Sequence, residues 1–420
     1  MIKAITGTKD ILPAEIPKWN YLESIVKSIA AAYNYKEIRT PVFEETGLFA
    51  RGIGEATDIV SKEMYTFKDR SDISITLKPE MTAAVIRAFI EHSLGKQQGL
   101  HKLLYIAPMF RQERPQAGRY RQFHQFGFEA VGSHAPALDA EIIIMSYEIL
   151  NKLGLKDLSV KINSLGVPAS REEYKNILRE YLSDKVKDMS EDSRKRFETN
   201  ILRIFDSKIE VDQKIMENAP LLLEHLDNES LEHFEEVKQL LLAAKIPFEV
   251  DAKLVRGLDY YTNTTFEILS GSVGSQSALC GGGRYDLLAE QLGGDPTPGV
   301  GVAAGIERIL LACENEGVLN LPDEEIDLYI VLLNKDLNKK ANELAVQLRR
   351  SDLNIDLDYL SRSVKAQMRE ANKFNAKFVL LFGGDEYEKR EAVLKDMSKG
   401  EQETISLDSL DSVINKIKGN

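Results

Sequence analysis

Between Leu103 and Val131 the chain reads LLYIAPMFRQERPQAGRYRQFHQFGFEAV. An apolar run, a polar segment holding Pro115 and Gly118, and an aromatic-rich run predict strand, turn and returning strand. Side chains alternate across a strand, so Leu103, Tyr105, Ala107, Met109, Arg111 and Glu113 share one face. On the return, Phe123, Gln125, Gly127 and Glu129 share a face, opposite His124, Phe126 and Phe128. If the strands pair in that register, one face carries Arg111, Glu113, Gln125 and Glu129 while Phe126 and Phe128 pack the other. A polar face of mixed sign is either a solvated, charged edge or the wall of a polar cavity.

The flanking pattern predicts further elements. Trp19, Leu22, Ile25, Val26, Ile29 and Ala30 recur at helical spacing, giving an amphipathic helix over Trp19–Tyr33. Glu37–Arg51 holds a short strand entered at Pro41. Met64–Phe67 and Ile73–Leu77 form a hairpin that leads into a helix with Pro79 in its first turn. Ala140–Leu153 is a helix and Leu158–Asn163 a strand. From Pro168 to about Ile246 the segments become strongly charged and helical in period, an inserted helical subdomain. Phe248–Ile268 reads as a Gly-containing turn and a strand. Leu279–Leu288, LCGGGRYDLL, supplies flexible backbone beside Tyr285, and its three glycines allow close approach to a ligand or form a loose turn. Pro298–Leu311 runs from a glycine-rich strand into a helix carrying Arg308. A Pro- and acid-containing linker follows over 321–327. Beyond it strand and helix alternate, predicting a separate α/β domain of roughly a hundred residues with a mostly parallel sheet.

At 420 residues the chain has room for two or three domains, each with its own core. Apolar content of 43% and charged content of 29% are ordinary for a soluble globular protein. No run approaches the ~18 apolar residues of a membrane span, and the start MIKAITGTKDILP lacks a secretion signal. Cys280 and Cys313 are the only cysteines, in no metal-like spacing, which fits a reducing cytosol and argues against structural zinc. The six histidines form no HExxH-type pair, so no metal site is readable. Net charge is −12, so a polyanionic partner would have to be met by local basic patches.

Such a patch exists at the hairpin. Arginines there suit phosphate oxygens, through paired charge-assisted hydrogen bonds, and carboxylates suit an ammonium or ring N–H. Gly299-x-Gly301-x-x-Ala304 fits a dinucleotide fingerprint, but the GGDPTP before it is not the strand that fingerprint needs. The spacing Arg111-x-Glu113, Arg119-x-x-x-Phe123 and Glu129 resembles motif 2 of the class II aminoacyl-tRNA synthetases. Glu37–Arg51 resembles motif 1, and PGVGVAAGIERILL resembles motif 3. TLKPEMT resembles the family's TLRPE-type segment, with Lys78 in place of the usual arginine. LVRGLDYYTNTTFE and GGGRYD resemble the segments peculiar to the histidyl-tRNA synthetase family, and the likeness covers essentially the full length.

That resemblance implies an α+β fold: an antiparallel-sheet catalytic domain over 1–325 with a helical insertion at about 168–246, and a C-terminal α/β anticodon-binding domain over 326–420. It implies ATP-dependent ligation of L-histidine to tRNA(His) through histidyl-adenylate, in a cytoplasmic homodimer with no membrane. Arg111 and Arg256 would be catalytic, clamping the α-phosphate, with Arg256 doing work a metal ion does elsewhere in the class. Histidine would be bound by Glu80, Thr82, Arg111, Gln125, Glu129, Arg256, Tyr260, Tyr261 and Tyr285. ATP would meet Arg111, Glu113, Arg119, Phe123 and Arg308, and Mg²⁺ would accompany it through phosphate oxygens with few protein ligands. Read without the family, Glu80 is equally a helix-dipole partner and the inserted helices a solvated face. The rivals are a synthetase for threonine, proline or glycine, and the histidine-sensing regulatory subunit of ATP phosphoribosyltransferase, expected to lack the C-terminal domain.

Overall fold

The hairpin forms in the anticipated register. In the computed structural model His101–Phe110 and Gln122–Val131 pair antiparallel, with Leu103 opposite Glu129, Tyr105 opposite Gly127 and Ala107 opposite Gln125. The structure describes residues 1–418 apart from 55, 56, 58, 98, 256, 257, 259, 322 and 323. They fall into two compact units, Met1–Asn320 and Leu321–Asn420.

The first unit is built on an eight-stranded sheet. In spatial order its strands are Lys36–Glu37, His101–Phe110, Gln122–Val131, Gly299–Gly305, Ala278–Arg284, Thr262–Ser270, Leu158–Ser164 and Glu249–Val250. The long central pairs are antiparallel, and the two-residue strands at either edge run parallel to their neighbours. One face is covered by the helices Ile16–Ala32, Pro136–Lys152, Asn228–Ala243 and Ile306–Glu316, which enclose Phe126, Phe128, Phe266, Ile268, Val300 and Val302. Leu22, Ile25, Val26 and Ile29 of the first helix all point into this core, each contributing about 1.5–3 kcal/mol by burial.

Several elements differ from the sequence pattern. The first hairpin strand stops at Phe110, so Arg111 and Glu113 sit in the connecting loop, although the Arg111 N–H still meets the Arg121 carbonyl at 2.9 Å. The strand after Pro41 is only Phe43–Glu45, and Thr46–Ile53 is already helix. The helix expected to hold Pro79 begins at Thr82, because the Glu80 carboxylate takes the Thr82 and Ala83 N–H groups before the first turn. Ala278–Arg284 is an interior strand, with register shifts near each end, and not a loose turn; its glycines are where neighbouring backbones and side chains crowd in. A Cβ on Gly282 would lie 2.0 Å from the Gly301 carbonyl oxygen.

Between Pro168 and Ala243 the described elements are all helical. The second unit has a five-stranded sheet, of which Ile355–Leu357, Leu328–Leu332 and Phe378–Phe382 are parallel. Glu391–Asp396 and Gln402–Ser406 add two antiparallel strands, so the sheet is mixed rather than mostly parallel. EAVLKD alternates side chains inward and outward, as an antiparallel strand with one solvated face does.

Candidate active site

The opposite face of the large sheet holds a cavity of about 330 Å³. Its room comes from missing side chains. One row across the sheet runs Glu267, Gly281, Ala303, Gly127, Tyr105, and the next Thr265, Gly283, Gly301, Glu129, Leu103. The middle of both rows is glycine or alanine, so bulkier neighbours lie down into the space. A Cβ on Gly301 would come within 1.8 Å of Glu129 Oε2, and one on Gly299 within 2.2 Å of the Tyr285 ring.

One end of the cavity is cationic. Arg111, Arg119 and Arg308 all line it. Arg111 Nε donates to the Pro79 carbonyl at 2.9 Å, and its guanidinium lies 5.3 Å from the Phe123 ring centroid. Arg119 Nη1 donates to Glu113 Oε2 at 2.9 Å, while Arg111 Nη1 stands 3.8 Å from Glu113 Oε1. Glu113 therefore holds two guanidiniums apart. Arg308 Nη1 donates to the Ala278 carbonyl at 2.7 Å. Burial first, then the positive charge of Arg119, pulls Arg308 below the usual arginine range. Arg119 Nε is buried with no hydrogen-bond partner among the described residues. Cations that crowd one another and keep a donor unmet form a site for an anion.

The other end is acidic and phenolic. Glu80 is buried, accepting at 2.7 Å from the Thr82 N–H and at 2.9 Å from the Ala83 N–H. It is thus the helix-capping partner and a wall of the cavity at once. Its carboxyl is pushed up by burial, against the pull of those N–H groups and Arg111. Thr82 Oγ1 donates at 2.7 Å to Glu129 Oε1, and the Tyr285 hydroxyl at 2.5 Å to Glu129 Oε2. Glu129 is wholly buried, and burial pushes its carboxyl up to about 8, so it is neutral at pH 7. Gln125 Oε1 is a buried acceptor with no donor among the described residues. Tyr260 packs edge to face with Tyr285, and the Tyr261 ring lies tilted against Tyr260.

Glu80, Thr82, Arg111, Glu113, Arg119, Phe123, Gln125, Tyr260, Tyr261, Tyr285 and Arg308 therefore share one hollow. Glu129 stands just behind its wall, reached through Thr82 and Tyr285. Arg256 lies outside the described residues. Sequence reasoning did not single out Tyr120, Leu258, Glu267 or Glu307, which also line the cavity, nor Tyr105 behind it. Glu267 and Tyr105 sit at the two ends of the Gly281–Ala303–Gly127 row, a relation that only the register of separate strands creates. Among the described residues no three His, Cys, Asp or Glu side chains are placed to hold a metal ion. Among them, too, no helix is long and apolar enough to cross a membrane.

The family profile described as "Histidyl-tRNA synthetase" matches residues 7–309, and that described as "Anticodon binding domain" matches residues 327–417. The histidine–tRNA ligase of Geobacillus sp. (strain WCH70) is 49% identical over 407 residues, 96% of each chain. That of Caldanaerobacter subterraneus subsp. tengcongensis is 46% identical over 414 residues, 99% of each. The crystal structure of apo S. aureus histidyl-tRNA synthetase spans all of both chains at 41% identity, with a TM-score of 0.83. By sequence and by fold, this chain belongs to the histidyl-tRNA synthetase family.

Proposed function

We propose that the cavity joins L-histidine to ATP, giving histidyl-adenylate and pyrophosphate, and that the histidyl group then passes to the terminal ribose of tRNA(His). The observation that carries this reading is the polarity of one hollow: three arginines at one end, and buried carboxyls with an unmet amide oxygen at the other. A nucleotide triphosphate answers the first end, and an amino acid with a polar ring answers the second.

In the first step a histidine carboxylate oxygen bonds to the α-phosphorus and pyrophosphate leaves. The carboxylate is already ionised at neutral pH, so no general base is required. Alignment and charge stabilisation remain for the protein to supply. Arg111, held by the Pro79 carbonyl and near enough to Glu80 to pull on its carboxyl, would meet both the α-phosphate and the attacking carboxylate. Arg256 would act from the opposite side; Leu258, two residues further on, is in the cavity wall. Arg119 and Arg308 would take the outer phosphates and purine, Phe123 would stack on the purine, and Glu113 would meet its amino group.

Glu80, Thr82 and Gln125 would hold the ammonium, the Gln125 oxygen being the acceptor in need of a donor. Glu129, Tyr260, Tyr261 and Tyr285 would select the imidazole. Because these groups are buried, an isosteric ring lacking the N–H would leave them unpaired, and discrimination of ~10⁴-fold follows without a proofreading site. Glu113 and Glu267 give the cavity hard oxygen donors, which fits a Mg²⁺ carried in on the phosphates; the ion would neutralise part of their charge. The Leu321–Asn420 unit would bind the anticodon, and the protein would work as a cytoplasmic homodimer. Amino-acid-dependent ATP–pyrophosphate exchange tests the reading: histidine alone of the standard amino acids should drive it, and exchange driven by threonine, proline or glycine, or by none, would overturn it.

A further inference from the structure

The histidine end of the cavity contains one polar atom that the arrangement above leaves idle. Tyr105 is fully buried, yet its hydroxyl has no hydrogen-bond partner among the described residues. Its position is not a packing accident. Gly127 stands directly across the hairpin, and a Cβ there would lie 2.2 Å from the Tyr105 hydroxyl oxygen. Glycine thus keeps clear the space in which the phenol ends.

The surroundings are those of the substrate pocket. Burial first, and then the nearby carboxyls of Glu129 and Glu80, drive Tyr105 well above the usual tyrosine range, so it carries its proton throughout. Thr82 lies beside it, but the Thr82 hydroxyl proton is given to Glu129. The Tyr285 proton is given to Glu129 as well. Tyr105 therefore keeps a proton that neither Thr82 nor Tyr285 takes up. A buried hydroxyl left unmet costs about 1–3 kcal/mol, and such groups call for a physical account.

We infer that Tyr105 is a positioning residue whose hydroxyl is held for the occupied site, where it donates to Glu129 and fixes the carboxyl that selects the imidazole. An ionised carboxylate has about four acceptor positions. Thr82 and Tyr285 fill two, an imidazole N–H fills a third, and Tyr105 completes the set. In the empty protein Glu129 carries its own proton, and the Tyr105 hydroxyl has no partner among the described residues. This rests on the reading of the cavity as a histidine site and adds to it a residue acting through Glu129.

Tyr105→Phe removes the hydroxyl and keeps the ring. The empty variant should melt at the parent's temperature or above it, since an unmet polar group has gone. The KM for histidine in pyrophosphate exchange should rise by about 3- to 10-fold, with the KM for ATP unmoved and the histidine-induced rise in melting temperature reduced. A histidine KM equal to the parent's overturns the inference while leaving the histidine reading intact. A lower melting temperature of the empty variant also overturns it, because the hydroxyl would then have a structural partner. A parent protein that shows neither exchange nor a histidine-induced thermal shift sinks the reading and this inference together.

Discussion

Glu129→Gln separates the electrostatic account of the pocket from a merely steric one. The carboxyl is wholly buried, its oxygens accept from Thr82 and Tyr285, and burial raises it from 4.5 to about 8. A raised carboxyl means that the folded protein keeps a proton that the unfolded chain gives up near 4.5. The associated stability is complete below 4.5 and is lost as pH climbs through 8. Between pH 6 and pH 8 the parent crosses two units of that window, at up to about 1.36 kcal/mol each and less as the carboxyl half-ionises near 8, so it should lose about 2 kcal/mol on this account. Glutamine mimics the neutral acid and cannot ionise, so the variant should lose none of it. Denaturant unfolding of the empty proteins at pH 6 and pH 8 measures the difference directly: the stability of the variant minus that of the parent should increase by about 2 kcal/mol over this range. Parallel pH profiles would refute the argument. A difference of opposite sign would mean that Glu129 is ionised and stabilising in the empty site.

Three other perturbations address separate parts of the cavity. Arg256→Ala should abolish pyrophosphate exchange while calorimetric histidine binding persists; near-normal exchange would remove Arg256 from the reaction. Arg119→Ala deletes a guanidinium with an unmet buried Nε, and should raise the KM for ATP by roughly 10- to 100-fold, as for a lost charged hydrogen bond, without moving that for histidine. Gly301→Ala would press a methyl against Glu129 Oε2, 1.8 Å away before relaxation. It should destabilise the protein by about 1–3 kcal/mol and weaken histidine binding but not ATP binding; equal losses on the two ligands would contradict the recess assigned to Glu129.

Most of the cavity was legible because strand alternation is a local property. Once Leu103–Val131 was read as a hairpin, the face shared by Gln125 and Glu129 followed from spacing alone, and the structure pairs those residues as expected. The motif likeness did the rest for Glu80, Tyr260, Tyr261, Tyr285 and Arg308, whose segments lie far apart in the chain. What failed was non-local. The glycines of LCGGGRYD left a loose turn open as an alternative to close approach, because nothing in ten residues tells that the Gly301 backbone will press against that strand from the next. Tyr105 was placed on the shared strand face but given no role, because its hydroxyl's isolation depends on where Thr82 and Tyr285 send their protons. Pro79 suggested a helix start three residues too early, since Glu80 caps the backbone from outside the helix. In the second unit the two antiparallel strands were missed because EAVLKD and QETIS are short, charged and only weakly apolar.

Cocrystallising the full chain with L-histidine and a non-hydrolysable ATP analogue is the most direct measurement of the central claim. The account predicts the imidazole against Glu129 and Tyr261, the ammonium at Glu80, Thr82 and Gln125, and the α-phosphate within reach of Arg111. Histidine bound at the arginine end, or the two ligands in different hollows, would contradict it.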